Sequence, residues 1–504
     1  HPLHQGRFVH AGETVTFEIP IRNTGDLGAD TYDVTTSSTW PVSLYQADGV
    51  TPLGDTDGDG VADTGSVAQG ASTTIVAEVT TPHVVSAGDA NQATLTVQSS
   101  VDPGKRKTVA LQTGVPTSFA QVYRDNADGA MSLYLAQPGG QSLKKTTSDY
   151  YYGYGMAVAE MPNSFAYVWS KYNWTGSVDT SEIEYTLLDS DGDTTRGVTK
   201  LTDHSGATVS TYDYDPAVAV APNGRIGVLW YRYLYNSSNG TSNYNIFFAI
   251  LDSAGNRVYG PLNLTNNNAW GDWDAYGVPR FYYPRIAATD DNRFVLAWQR
   301  YSWESAGSLS DVYYAVRDAN GGAVKGVTKF TNGVAGGAYY YHPALARLSG
   351  SRALLAYYAN GSISYGVLNS AGNVVKGETP TGGYGYLPDA VQLADGSVLL
   401  AWTSWGADMY EINFAVLDGA NYNVVAGPTA LSNPAAVTGN DYVSVAADGA
   451  GRGVLTWMDA GNYRPNLYYA LVDGSGNALT DPMIFRTSQA TDSYIVTSYE
   501  GYGN

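Results

Sequence analysis

The sequence contains no cysteine. That absence excludes disulfides, thiolate metal centres and a cysteine nucleophile together, and it suits an exported bacterial or archaeal protein better than a secreted eukaryotic one. No apolar run reaches the roughly 18 residues that a membrane-spanning helix needs. Basic residues are scarce: 27 Lys and Arg stand against 47 Asp and Glu, a formal net charge of −20. Such a surface repels phosphate backbones and anionic lipid, so nucleic acid is not an expected partner. No long segment carries the 3.6-residue apolar period of a helix. The chain begins at His1 instead of Met, which fits removal of a signal peptide and an extracellular or cell-surface location.

What is abundant is 57 Gly, 21 Pro, 41 Tyr and 11 Trp, the composition of an all-β chain. Between Tyr212 and Thr265, four apolar-alternating runs are separated by turn residues, a pattern of four consecutive strands. The unit recurs. Its second strand ends in an aromatic at Trp169, Trp230, Trp298, Tyr357, Trp402 and Trp457, and its third runs into a polar turn such as LLDSDGD, ILDSAGN, VLNSAGN or LVDGSGN. Four short strands at this period read as blades of a β-propeller, since one blade cannot bury both its faces alone. Six copies span about 149 to 488. SFAQVYRDN at 118 and DSYIVTSYEGYGN at 492 look like the separated parts of one more. The expectation is a seven-bladed propeller over 117–504 whose C-terminal strand closes its first blade, removing the open sheet edge.

Residues 1–7 carry no pattern and read as a terminal arm. Over 8–113, runs such as ETVTFEIPIRN, STTIVAEVTTP and QATLTVQSSV alternate as in a β-sandwich. The ordered elements IRNTG, a Trp at 40, a Gly before the penultimate strand and then SAG resemble the NEW3-type immunoglobulin-like domain of bacterial surface and secreted proteins. The resemblance implies a modular surface location and no particular reaction. Within this stretch, GDTDGDGVADTG offers Asp55, Asp57, Asp59, the Val61 carbonyl and Asp63 at the spacing of a calcium loop, with Ser66 where a bidentate Glu is usual. Ca2+ is therefore the expected cofactor, with its last ligand from elsewhere. Asp189, Asp191 and Asp193 read instead as a polar turn.

Alternating strand direction sends the blade-to-blade connections and the loops after each second strand to one face. These are long and aromatic, whereas the loops of the other face are short. They gather Tyr150, Tyr151, Tyr152, Tyr154, Tyr212, Tyr214, Trp273, Tyr276, Tyr282, Tyr283, Tyr340, Tyr341, His342, Tyr384, Tyr386 and Tyr442 around the channel mouth as a surface for a protein partner or a glycan. On the same face stand Asp213, Asp215, Asp272, Asp274, Arg280, Arg285, Glu304, Asp389 and Asp441. A glycosidase would use two of the carboxylates; a polysaccharide lyase would use Tyr283, His342 and Arg285. There is no nucleophile elbow, HExxH, phosphate loop or sialidase Asp-box. Five N-x-S/T sequons, at Asn173, Asn236, Asn239, Asn263 and Asn360, match chance for this composition. The sequence thus leads first to an exported structural or adhesive subunit, of a filament or surface layer, that self-associates or binds other surface proteins or glycan. The alternative is a secreted carbohydrate-active enzyme acting at the same face. Convergent charged groups at the mouth favour the enzyme, and broad contacts favour the subunit.

Overall fold

The computed structural model describes residues 4–9, 11–85, 89–115, 121–125, 131–136, 143–148, 155–161, 164–173, 178–189, 193–272, 275–405, 410–431, 440–447, 451–459, 466–480 and 482–487. Every regular element among them is a β-strand. In the first unit, Thr14–Arg22 alternates exposed and buried positions in the two-residue period of a half-buried strand. It pairs with Ser72–Thr80, which also pairs with Val42–Gln46. A second sheet runs His4–Phe8, Arg106–Gly114, Ala90–Ser99, Asp30–Ser37, Asp63–Val67. Phe17, Ile19, Val34, Trp40, Ile75, Leu95 and Leu111 fill one core shared by the two sheets. Each such side chain contributes roughly 1.5–3 kcal/mol by leaving water. The arm suggested by sequence over residues 1–7 is, from His4 onward, an edge strand: it runs parallel to the last strand of the unit, with His4 opposite Ala110 and Phe8 opposite Gly114. That pairing satisfies backbone groups that a free arm would leave to water.

From Gln121 the strands meander in chain order. Gln121–Asp125, Met131–Ala136 and Leu143–Ser148 form a three-stranded sheet. The next two groups of four, 156–200 and 210–263, are joined through a short parallel pairing of Thr180 and Ser181 with Thr211 and Tyr212. Four further four-stranded sheets follow, at 280–329, 340–384, 386–431 and 440–487. The first strand of each group from 156 onward packs against the first strand of the next, the layout of propeller blades about an axis.

The recurrent second-strand aromatics are all buried to within 1% of full exclusion from solvent. They lie in the cores between neighbouring sheets: Trp230 packs with Ile183 and Tyr185 of the preceding group, Trp298 with Leu229 and Phe248, and Trp402 with Leu354 and Tyr365. The polar turns close on their own acidic or amide side chain. Asp252 Oδ1 accepts from Ala254 N and Asn256 N, and Asp318, Asn369 and Asp473 repeat the arrangement. In the Asp189 turn, Asp193 N likewise donates to Asp189 Oδ1, while Asp191 lies outside the described residues.

Three of the turns in this position also receive a tyrosine from the group before. Tyr185 Oη donates to Gly255 O (2.6 Å), Tyr314 Oη to Gly372 O (2.9 Å) and Tyr365 Oη to Tyr422 O (2.6 Å), all buried. Some of the tyrosine wealth is therefore an inter-blade latch far from the aromatic face.

Candidate functional site

The first strand of each of the five groups from 210 onward breaks its pairing in the same way. The register jumps between Tyr214 and Ala217, Tyr282 and Arg285, Tyr341 and Ala344, Tyr386 and Asp389, and Asp441 and Ser444. The first residue expelled from the ladder is left-handed each time: Asp215 (φ 49°), Tyr283 (52°), His342 (48°), Leu387 (50°) and Tyr442 (56°), with Gly155 (101°) at the corresponding place one group earlier. Four of these non-glycine residues precede a proline, at 216, 284, 343 and 388. A proline costs no ladder hydrogen bond inside a bulge, but its ring disfavours compact conformations in the residue before it. A left-handed non-glycine residue costs of order 1–3 kcal/mol, and such residues persist where the surroundings over-determine them.

Three of the five, Asp215, Tyr283 and His342, converge. The Tyr283 and His342 rings meet edge to face at 4.5 Å between centroids. Tyr386 stands 6.5 Å from His342. Arg285 Nη1 reaches Asp215 Oδ2 at 3.5 Å and donates to Pro284 O at 2.8 Å. Repeat position also singles out Arg285 and Asp389, since each stands two residues after the left-handed one, where other groups have Ala157, Ala217, Ala344 and Ser444.

Burial governs the protonation of these groups. It lowers His342 to about 4, with the Arg285 charge acting the same way, so the imidazole is neutral at physiological pH. Its Nδ1 is buried and has no hydrogen-bond partner among the described residues. Burial, then the Asp215 charge, raises the Tyr283 phenol above its usual range, partly offset by Arg285. Burial raises Asp215 against the opposing pull of Arg285. Asp389 is pushed up to about 6 by burial, although its carboxylate accepts from Val445 N (2.9 Å) and Ser444 Oγ (2.8 Å) of the next group. Those bonds make Asp389 a clamp between sheets and leave it poorly placed as a nucleophile.

The remaining sequence candidates divide. Asp213 lies beside Asp215 in sequence but is fully buried and closed off. Arg232 donates to it twice (2.7 and 2.9 Å), and His204 Nε2 lies 2.7 Å away. Arg280 is buried, with Nη2 on Asp272 O, and Glu304 accepts from Ser302 Oγ beside a hairpin. Tyr340 turns into the inter-sheet core against Tyr357 and does not present a ring to solvent. Tyr212 stacks with Tyr214 and Tyr233, and Tyr341 with Tyr358. One unbroken series of contacts runs Tyr212, Tyr233, Tyr244, Tyr282, Tyr283, His342, Tyr386, Tyr410, Trp405. Tyr276, Tyr384, Trp405 and Tyr442 are exposed. Tyr150, Tyr151, Tyr152, Tyr154, Trp273 and Asp274, and the side chain of Asp441, lie outside the described residues.

No protein-family model matches this sequence, and no curated protein does. Solved structures do resemble it. A Hadza microbial sialidase is 12% identical over 88% of this chain and 93% of its own, with a TM-score of 0.46. An ulvan lyase bound to a GlcA–Rha3S unit is 8% identical over 69% and 90%, TM-score 0.43. An α-L-arabinanase from Penicillium chrysogenum is 10% identical over 74% and 99%, TM-score 0.37.

A second acidic site lies in the first unit. Carboxylate oxygens of Asp55, Asp57 and Asp63 come within 4.8 Å of one another, as do those of Asp33, Asp57 and Asp59. Asp33, on the strand opposite Asp63, escapes the sequence motif because it is distant in the chain. Burial and then the Asp59, Asp57 and Asp63 charges raise its carboxyl, against a hydrogen bond from Ser100. Backbone amides already serve part of the loop: Gly58 N and Gly60 N donate to Asp55, and Val61 N to Asp59. Among the sequons, Asn236, Asn239 and Asn263 cap their own turns by accepting from the amide two residues on.

Proposed function

We propose that this chain is a carbohydrate-active enzyme that cleaves an acidic polysaccharide by β-elimination at the channel mouth. The carrying observation is the half-buried imidazole of His342, whose buried Nδ1 has no hydrogen-bond partner among the described residues, packed edge to face with the Tyr283 ring beside Arg285. Neutral His342 is suited to accept the proton α to a uronate carboxylate. Protonated Tyr283 is suited to donate to the departing glycosidic oxygen. Arg285, oriented by Asp215, opposes the charge that develops on the carboxylate. One C–H and one C–O bond break, one C=C forms, and the proton taken by His342 returns to the Tyr283 phenolate, so no water is consumed. Convergence of a few charged groups at one strained locus favours this over a structural or adhesive subunit, which would be served by the aromatic face alone.

We place this mouth in a seven-bladed propeller, supported by the six four-stranded groups and the three-stranded one before them; the closing strand at 492–504 lies outside the described residues. The first unit fits the NEW3-type immunoglobulin-like reading in its two-sheet core and in Asn23 of IRNTG, which is buried and donates to Gly28 O and Val67 O. Calcium is proposed for the acidic loop, with Asp33 supplying the ligand that Ser66 does not. Action on a polymer sets the protein outside the cell.

The test is incubation with a panel of uronate-containing polysaccharides, read by the ultraviolet absorbance of the unsaturated product and by new reducing ends. Both signals support elimination. Reducing ends without the chromophore would mean hydrolysis, and neither signal from a self-associating protein would return the structural reading.

A further inference from the structure

A cavity of about 350 Å³ opens between the 203–207 connection and the sheet of residues 210–263, lined by Asp203, His204, Arg232, Leu234, Phe247 and Asn263 among others and sharing none of its lining with Asp215, Tyr283, Arg285 or His342. Its volume sits at the lower end of small-molecule sites, about 300–1,000 Å³, room for a compact ring and not for a chain. Its floor is fixed. Asp213 occupies Nε and Nη2 of Arg232 and faces Nε2 of His204, while the guanidinium lies 4.1 Å over the Phe247 ring.

That arrangement leaves a mixed set of groups for the cavity. Among the described residues, Arg232 Nη1 and Asn263 Nδ2 donate to nothing and His204 Nδ1 has no partner, while Asn263 Oδ1 is occupied by its own turn, accepting from Thr265 N and Asn266 N. Three of the lining residues thus keep an unused polar nitrogen, and Asp203 beside them is exposed. Asp213 cancels the charge of Arg232, and both Asp203 and the net charge of −20 disfavour an anion, so the mixed polar and apolar lining suits a neutral occupant that bears hydroxyls on an apolar ring. We infer that this cavity is a binding site for a single neutral sugar unit, separate from the mouth where cleavage is proposed.

The experiment is saturation-transfer NMR of the full chain with methyl glycosides of neutral hexoses, pentoses and deoxyhexoses, at the millimolar concentrations a one-sugar site requires. Ala207→Trp fills the cavity from an exposed connection and is expected to abolish transfer with an unchanged melting temperature. Asn263→Asp keeps the turn-capping oxygen but puts a charged acceptor oxygen where the donor stood, and is expected to weaken binding of a neutral glycoside at least roughly three- to tenfold, the worth of about one hydrogen bond. Absence of transfer from every glycoside, or transfer that survives both substitutions, would overturn the assignment. Cleavage enters neither readout, so loss of the lyase reading would leave this result standing, and the reverse.

Discussion

Two aspartates two residues apart in one strand meet opposite fates. Asp213 is excluded from solvent and gripped by Arg232 and His204; burial pushes its carboxyl up, but the two partners outweigh burial and hold it below its usual range. Asp215 sits in a left-handed kink of its strand, with one partner at 3.5 Å, and its carboxyl is raised. The seam between sheets compensates its charge and gains rigidity. The kink leaves the charge of Asp215 only partly compensated, as the proposed chemistry there would require. A buried ion pair that is fully hydrogen-bonded is a structural device, whereas perturbed groups left incompletely paired are candidates for chemistry.

The comparison breaks most visibly through activity. His342→Ala and Tyr283→Phe should each lower turnover of the polysaccharide by about 10²–10⁴-fold, the usual share of a general acid or base, with melting temperatures near that of the parent. Equal losses of activity and stability would make these residues structural. The seam predicts the reverse: Asp213→Ala strands the Arg232 charge and should destabilise by about 3–5 kcal/mol in denaturant titrations, while Asp215→Asn should alter catalysis with little effect on the unfolding midpoint.

Stability against pH sharpens the contrast. His342 falls from 6.5 to about 4 on folding, so between these values the unfolded chain holds the extra proton and stability rises with pH. Asp389 rises from 3.8 to about 6, so across that window the folded chain holds the extra proton and stability falls with pH. The two slopes oppose between about 4 and 6. Asp389→Asn should expose the His342 rise, and His342→Gln should expose the Asp389 fall, in unfolding midpoints measured across that range.

Smaller effects are expected from ions. Chelation should lower the melting transition of the first unit, and Asp57→Ala or Asp33→Asn should each reduce that response; an unchanged transition in the parent would remove calcium from the account. With a net charge of −20, moderate salt should speed capture of a polyanionic substrate by screening repulsion, and a rate that falls with salt would point to a local attraction at Arg285.

Much of the architecture was readable because repetition makes it so. The second-strand aromatics, the Asx-closed turns and the alternation of face and core each recur, and a single period explains them. The role of an individual aspartate was not readable. Asp213 and Asp215 look alike in YDYDP, and what separates them is His204 from a connecting loop, Arg232 from the next strand and a left-handed backbone. The signal for Arg285 and Asp389 was present but faint: in repeat register, a charge replaces an alanine or serine. Asp33 lay too far from the acidic loop to enter its motif. Tyr185, Tyr314 and Tyr365 resemble the tyrosines of the aromatic face in composition, and only their acceptor carbonyls mark them as latches.

Those latches impose an order on biosynthesis. The acceptor for Tyr185 lies 70 residues downstream, and those for Tyr314 and Tyr365 lie 58 and 57 residues downstream. As the chain leaves the ribosome, each latched sheet emerges before the carbonyl that will complete it has been made. Such a sheet stays provisional until its successor folds, and the nascent protein matures one sheet behind its own synthesis.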